Sequence, residues 1–320
     1  MIRNKAEAMK LNIGVIGVGY WNHYVRILSE HQNVDQIYVC DLKQENLDRV
    51  TEKYPSVITA TDFNYILSKP EIEGVILCTP VKTHCKIGEA VLNTNRSLLC
   101  EKAMTYTSDE AQRMINSSKM FGGKLCIGHT FEYNSLVQHI QKLLDEKVLG
   151  EIYYISMTRV GMSPVRQDVN ALWDLGAHDF SMLIKWFGMP QSISSFGKSY
   201  LNDGIEDFVT TNVEFENNVI ANIKNSWINP IKRRVVTIIG SKKMLEFDDI
   251  EKSLVIYDND GKHKLDIEYK QPLSEQVNDF IDSILHDRQP LVTWESGLRV
   301  VKVLEAAQKS LKNNSEKVML

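Results

Sequence analysis

Three side chains of this sequence could move a proton from suggestive positions: Lys102 in RSLLCEKA, and Asp174 and His178 in WDLGAHDFSML. The pair is the odder feature, because its surroundings are rich in Trp, Leu, Met, Ile and Phe. Four residues is about one helical turn, so a helix would set Asp174 and His178 on one face, one above the other. Chemistry is to be sought where a carboxylate and an imidazole share a face. Lys102 directly follows an apolar run, and a lysine at a cleft rim loses part of its hydration and can exchange a proton near neutral pH. Each feature also has a blander explanation, a solvent-facing helix edge for the pair and a surface loop for the lysine. Zinc suits ligands at i and i+4, but no convincing cluster of further His, Cys or Asp accompanies the pair, and no metal is expected.

These residues need elements to hold them. The spacing predicts a helix from about Val169 to Phe187, with Asp174, His178, Ser181 and Lys185 forming a narrow polar stripe and only Asn170 and Asp179 off that line. Around it, stretches such as GEIYYISMTRVG, DFVTTNVEFENNVIANIKNSWI and RRVVTIIGSKKMLEFDD alternate polar and apolar residues. That period of two predicts an antiparallel sheet, with hairpins through Asn217-Asn218 and Asp260-Gly261.

Lys102 belongs to a different pattern. LNIGVIGVGYWNHYVRILSE reads as strand, glycine turn and helix. Gly17 would allow the tight turn, Gly19 would let the backbone approach a pyrophosphate, and the helix N-terminus would meet its charge. Asn22 stands where a third Gly or Ala is usual, and Tyr20, Trp21 and Asn22 fall at the expected phosphate turn. A second strand ends just before Asp41, 22 residues after Gly19, about where an acid accepts hydrogen bonds from a ribose 2′-hydroxyl. An acid there favours NAD over NADP. Strand and helix then alternate to KLCIGHT, which predicts a parallel sheet covered on both faces. Ligands bind at the carboxyl ends of such strands, so Thr79, Pro80, Glu101, Lys102 and His129, with His84 on the helix between, are the expected cofactor neighbours.

At 320 residues two domains are expected, a dinucleotide-binding Rossmann domain over 1–130 and an α+β domain for substrate and oligomerisation over 131–291. A terminal helix over about 292–313 is expected to pack back on the first. A hydrophobic content of 43%, a charged content of 24% and a net charge of -4 are ordinary for a soluble protein and give no basic footprint for nucleic acid. The five cysteines are odd in number and mostly lie in apolar runs, which fits a reducing cytoplasm. No signal peptide and no membrane span are legible.

Taken in order, GVIGVGYW, VCD, ILCTPVKTHCKIGEAVL, LCEKAM, GHTFEYN and WDLGAHDFSML resemble the glucose-fructose oxidoreductase, inositol dehydrogenase and rhizopine catabolism (Gfo/Idh/MocA) family. The closing EQVNDFIDSILHDRQPLVTWESGLRVVKVLEAAQKSL extends the likeness over nearly the whole chain. The resemblance implies an N-terminal Rossmann domain, a C-terminal domain on an open, predominantly antiparallel sheet, and hydride transfer between a nicotinamide cofactor and a sugar or polyol carbon. It matches Lys102 to the family's Glu-Lys-Pro lysine, with Ala103 in place of the proline, and Asp174 and His178 to its Asp-x-x-x-His pair. The GYW turn and the DVNALWDLGAHD context are most similar to members acting on nucleotide-linked sugars in surface-polysaccharide pathways. On that likeness Arg159, Arg166, Trp173, Asp174 and His178 are candidate substrate contacts, with Lys232 to Arg234 a weaker diphosphate candidate. A free inositol or polyol dehydrogenase is the alternative, and a non-catalytic NAD-binding regulator a second one, although a regulator needs the fold but not the proton-transfer set. A homodimer or homotetramer through the C-terminal sheet is expected.

Overall fold

A computed structural model of the chain describes residues 10–19, 22–162 and 166–320, without the side chains of Asn22 and Asn217. Tyr20 and Trp21, expected at the phosphate turn, lie outside the described residues. Two compact units result: one contains the described residues up to Thr105, Asp109–Gly128 and Leu273–Trp294, and the other Tyr106–Ser108, His129–Pro272 and Glu295–Leu320.

In the first unit β1 (Leu11–Ile16), α1 (Asn22–Ser29), β2 (Val34–Cys40), α2 (Gln44–Lys53), β3 (Ile58–Ala60), α3 (Phe63–Leu67), β4 (Ile72–Leu77), α4 (Val81–Leu92), β5 (Ser97–Cys100), α5 (Ser108–Phe121) and β6 (Leu125–Ile127) alternate. The six strands run parallel in the order β3-β2-β1-β4-β5-β6. Their continuous burial explains why they read as apolar runs: helices cover both faces, so no strand has a solvent side to mark with polar residues. The order reverses at β1 and β4, the switch point at which such sheets open a ligand crevice beyond their carboxyl ends.

The second unit continues with α6 (Ser135–Asp145), β7 (Ile152–Met162), a π-helical turn over Leu172–Gly176, α7 (Ala177–Phe187), β8 (Ser192–Lys198), β9 (Phe208–Glu214), β10 (Ile220–Ser226), β11 (Ile228–Gly240), β12 (Met244–Asp248), β13 (Ser253–Asp258) and β14 (Gly261–Lys264). After α8 (Pro272–Leu285) come α9 (Trp294–Lys312) and β15 (Val318–Met319). The nine-stranded sheet has the order β14-β13-β12-β11-β7-β10-β9-β8-β15. It is open and antiparallel throughout except where β10 runs parallel to β7, pairing Ile223 with Met157. Both expected hairpins form, β9 to β10 and β13 to β14. On β10, Ala221 and Ile223 are buried while Ile220, Asn222 and Lys224 are exposed, the alternation of a sheet with one covered face.

Three sequence expectations are corrected. The returning helix is α8, whose Val277, Phe280 and Ile281 join the core of the first unit. The last helix, placed over 292–313 and expected against the Rossmann sheet, instead ties into the second unit, where the Ser195 N–H donates to Ser310 Oγ at 2.9 Å. Both helices are amphipathic, so periodicity alone did not say which sheet each apolar face would meet. Finally, the predicted helix over 169–187 begins with the π-helical turn; Lys232 to Arg234 lie inside β11.

All five cysteines are buried and reduced. Among the described residues no helix is long and apolar enough to cross a membrane, and no group of three or more potential metal ligands occurs.

Candidate active site

The glycine turn has the form a dinucleotide needs. Gly17 has φ +89°, and a Cβ there would lie 2.9 Å from Thr79 Cγ2 and 3.0 Å from the Cys78 backbone. Only glycine fits both the conformation and the approach of β4's end. Asp41, just past β2, closes the turn: its Oδ2 accepts from the Val18 N–H, and its Oδ1 from the Lys43 N–H and Asn46 Nδ2, all at 2.9 Å. A Cβ on Gly19 would come within 3.1 Å of Asn46 Nδ2. Buried Asn46, which the sequence reading passed over, therefore shapes the same turn. An Asn one turn into the helix after an acidic strand end is the signal that could have found it.

Lys102 follows β5 and is 9% exposed. Two of the expected cofactor neighbours, Glu101 and His84, brace its turn. Glu101 is buried; its Oε1 accepts from Tyr24 OH at 2.5 Å and its Oε2 from the Lys102 N–H at 3.1 Å. Gln276 Nε2 donates to the same tyrosine oxygen at 2.8 Å, and burial, then the Glu101 charge, push the Tyr24 phenol well above its ordinary value. His84 has no exposed surface; its Nε2 lies 2.7 Å from Thr79 O and its Nδ1 3.0 Å from Ala103 O. One imidazole thus spans the turns after β4 and β5. A neutral ring donates to one of these carbonyls and an imidazolium to both. The Lys102–Ala103 peptide is cis. Thr79 accepts from the Thr83 hydroxyl at 2.7 Å, and Pro80 precedes α4 as its cap.

In the second unit Asp174 lies in the π-helical turn and His178 in the first turn of α7. The four-residue spacing therefore crosses a change of helix type. Asp174 is fixed from two sides: Arg166 Nη1 donates to its Oδ1 at 3.3 Å and Trp227 Nε1 to its Oδ2 at 3.2 Å. Arg166 also grips Asp168 through Nε at 2.9 Å and Nη2 at 2.7 Å. Burial works against both charges, but their hydrogen bonds and mutual attraction outweigh it, holding Arg166 above its ordinary value and Asp168 below. The His178 ring lies 5.2 Å from that of Phe131 at 60°.

Arg159, expected at the substrate, is 5% exposed and belongs beneath this segment. Its Nε donates to Asp179 Oδ1 at 2.9 Å, Asn225 Nδ2 donates to Asp179 Oδ2 at 2.8 Å, and its guanidinium carbon lies 4.4 Å from the Phe131 ring centre. Burial pushes the Asp179 carboxyl up against the pull of Arg159. The signal for this pair was available in sequence: an acid off the polar stripe of an apolar helix needs a buried cation. Trp173 is buried, with its indole N–H donating to Gln308 Oε1 at 3.0 Å. His129, expected beside the cofactor, is fully buried in the second unit: its Nδ1 lies 2.8 Å from Ser296 Oγ, which donates to Glu132 Oε1 at 2.5 Å.

Comparison with known proteins agrees on both halves. Residues 11–129 match the model of an oxidoreductase family with an NAD-binding Rossmann fold, and residues 137–246 that of a GFO/IDH/MocA C-terminal domain. The chain is 21% identical to myo-inositol 2-dehydrogenase of Thermotoga maritima, covering 94% of this chain and 96% of that protein. It is likewise 21% identical to UDP-N-acetylglucosamine 3-dehydrogenase of Acidithiobacillus ferrooxidans, covering 91% and 94%. An oxidoreductase from Agrobacterium radiobacter, solved with NAD+, L-tartaric acid and magnesium, shares the fold at TM-score 0.86 and 16% identity, over 97% of this chain and 98% of that one.

Proposed function

The chain belongs to the Gfo/Idh/MocA oxidoreductases, with an NAD-binding Rossmann domain, and from that premise we propose that it reversibly oxidises a secondary alcohol of a sugar, the 3-hydroxyl of a UDP- or dTDP-linked hexose. The observation that carries the reading is a buried lysine on a braced turn in the first unit together with an Asp and His held on one short helical segment of the second. A regulator has no need to fix such groups. The relative acting on UDP-N-acetylglucosamine supports the nucleotide-linked substrate.

Gly17, Gly19, Asp41, Thr79 and Pro80 fit a nicotinamide dinucleotide, because the turn excludes a Cβ where a pyrophosphate approaches and ends beside a carboxylate. That carboxylate accepts from ribose hydroxyls and repels a 2′-phosphate, so NAD is the proposed cofactor. When bound, the nicotinamide accepts or supplies the hydride. The chain's part is the proton. His178 takes it from the substrate hydroxyl in oxidation and returns it in reduction, Lys102 donates a hydrogen bond to the same oxygen and stabilises its developing charge, and Asp174, set by Arg166 and Trp227, orients the reacting group. Arg166 and Trp173 act as substrate contacts through this same segment.

The inositol dehydrogenase relative favours a second reading, a free cyclitol or sugar as substrate. Thermal melting separates the two, with NAD and NADP each alone and then with UDP-sugars, dTDP-sugars or myo-inositol. A shift with NAD that grows with one nucleotide sugar is expected; growth with myo-inositol alone selects the second reading, and no shift with either dinucleotide ends the dehydrogenase proposal. A cytoplasmic homo-oligomer completes the proposal, with the exposed sheet face carrying Tyr154 and its neighbour Ile220 as the contact; light scattering that finds only monomer at micromolar concentration counts against it.

A further inference from the structure

The second unit contains a cavity of about 370 Å³ that none of the proton-transfer residues Lys102, Asp174 and His178 lines, although Trp173 borders it. Its size falls in the range of about 300–1,000 Å³ typical of small-molecule sites. Its lining residues include two acids, Asp168 and Glu206, together with Gln167, Gln308, Lys312, Tyr106 and Trp173.

The hydrogen bonds inside the wall decide what remains for a ligand. A carboxylate has about four acceptor positions. Arg166 takes two on Asp168, and Asn170 Nδ2 takes one on Glu206 at 2.6 Å. Gln308 Oε1 accepts from Asn170 Nδ2 at 2.9 Å and from Trp173 Nε1 at 3.0 Å, which fixes the amide's orientation and leaves its NH2 as the donor. Trp173 is buried with its N–H committed, and Tyr106 packs edge-on against it with centroids 5.4 Å apart, so the half-buried Tyr106 supplies the aromatic surface. Acceptors, donors and an aromatic surface therefore converge on one space.

Asp168 is paired with Arg166, which also reaches Asp174, and among the described residues lining the wall Lys312 is the one cation beside the carboxylates of Asp168 and Glu206. The carboxylates disfavour a phosphate, whereas hydroxyls, which donate and accept at once, match the mixed wall.

We propose that this cavity is a binding site for a neutral polyhydroxylated ring, a pyranose or a cyclitol, separate from the proton-transfer residues. Asp168 and Glu206 accept from ring hydroxyls, Gln167 and the Gln308 amide donate to ring oxygens, and a C–H face of the ring lies against Tyr106. The site does not depend on the dehydrogenase reading, and binding rather than turnover tests it.

Isothermal titration of the full chain with D-glucose, N-acetylglucosamine and myo-inositol, each at tens of millimolar, reads the site directly, with glucosamine and glucose 6-phosphate as the charged counterparts. At least one neutral ring is expected to bind saturably. Its affinity should fall about tenfold or more in Glu206→Gln, which removes a charged acceptor but keeps an oxygen for Asn170. His178→Ala should retain it. Gln167→Ala, at an exposed position, should weaken it about threefold and carries the test if Glu206→Gln does not fold. Binding by none of the three rings overturns the site, as does full affinity in the Glu206→Gln or Gln167→Ala variant. Loss in His178→Ala places the ring at the reacting centre instead, and a tenfold preference for glucosamine or glucose 6-phosphate shows a charged-ligand site.

Discussion

The lysine turn of the first unit and the Asp174–His178 segment of the second are braced in opposite ways. Around Lys102 the bracing is chiefly by hydrogen bonds to backbone: His84 reaches the carbonyls of Thr79 and Ala103, and Glu101 accepts from the lysine's own N–H. Around His178 the bracing is by charge: Arg159 with Asp179 beneath, Arg166 with Asp168 and Asp174 before it. A turn at the end of a parallel strand already has a direction set by the sheet, so hydrogen bonds to its backbone suffice to finish it. A helix entered through a π-helical turn has no such ladder, and ionic contacts between separate elements determine how it lies.

That contrast predicts a hierarchy of damage. The largest loss should come from Arg159→Met, which strands the buried Asp179 carboxylate and should cost about 3–5 kcal/mol in denaturant unfolding. Pairing it with Asp179→Leu should recover most of that loss; a single variant as stable as wild type would remove the charge half of the comparison. Next, Lys102→Ala and His178→Ala should each lower turnover about 10²-fold or more while NAD still shifts the melting temperature. Wild-type turnover in both would refute the proton-transfer assignment.

His84→Ala tests the backbone half. Leaving buried carbonyls without their donor should cost about 1–3 kcal/mol, and kcat should drop with little change in the NAD dissociation constant. Equal losses in NAD affinity and kcat would make His84 a cofactor contact after all. The smallest effect is in pH. Asp168 is held below its ordinary value, so its contribution to stability is complete above the unfolded pKa of about 3.9 and disappears as pH falls through the lower folded value. Asp168→Asn should therefore flatten the acid side of a stability profile and leave its shape near neutral pH unchanged; a profile parallel to wild type would show that Arg166 does not depend on that charge.

Much of the first unit was legible because its signals are local. Apolar runs, Gly17 and Gly19, and an acid after β2 mark strand, turn and carboxylate by type and spacing along the chain, and the ends of β4 and β5 follow by counting. The partners of His84 and Glu101 were not legible for a related reason: their positions near strand ends are local, but Ala103, Tyr24 and Gln276 are not. The pairing of Arg159 was hidden in the same way, since Asp179 lies 20 residues away on α7.

The sequence alone determined the two kinds of sheet, the glycine turn, the identities of Lys102, Asp174 and His178, and the family likeness, since periodicity, residue type and spacing are properties of the chain itself. Tertiary structure decided that α8 and not α9 joins the Rossmann core, that Asp174 sits in a π-helical turn between Arg166 and Trp227, that Arg159 is a buried brace, and that Asp168, Glu206 and Gln308 line one open pocket. Each of these depends on which groups from distant positions meet once water is excluded, and there burial favours partners for charges and polar groups that no local pattern names.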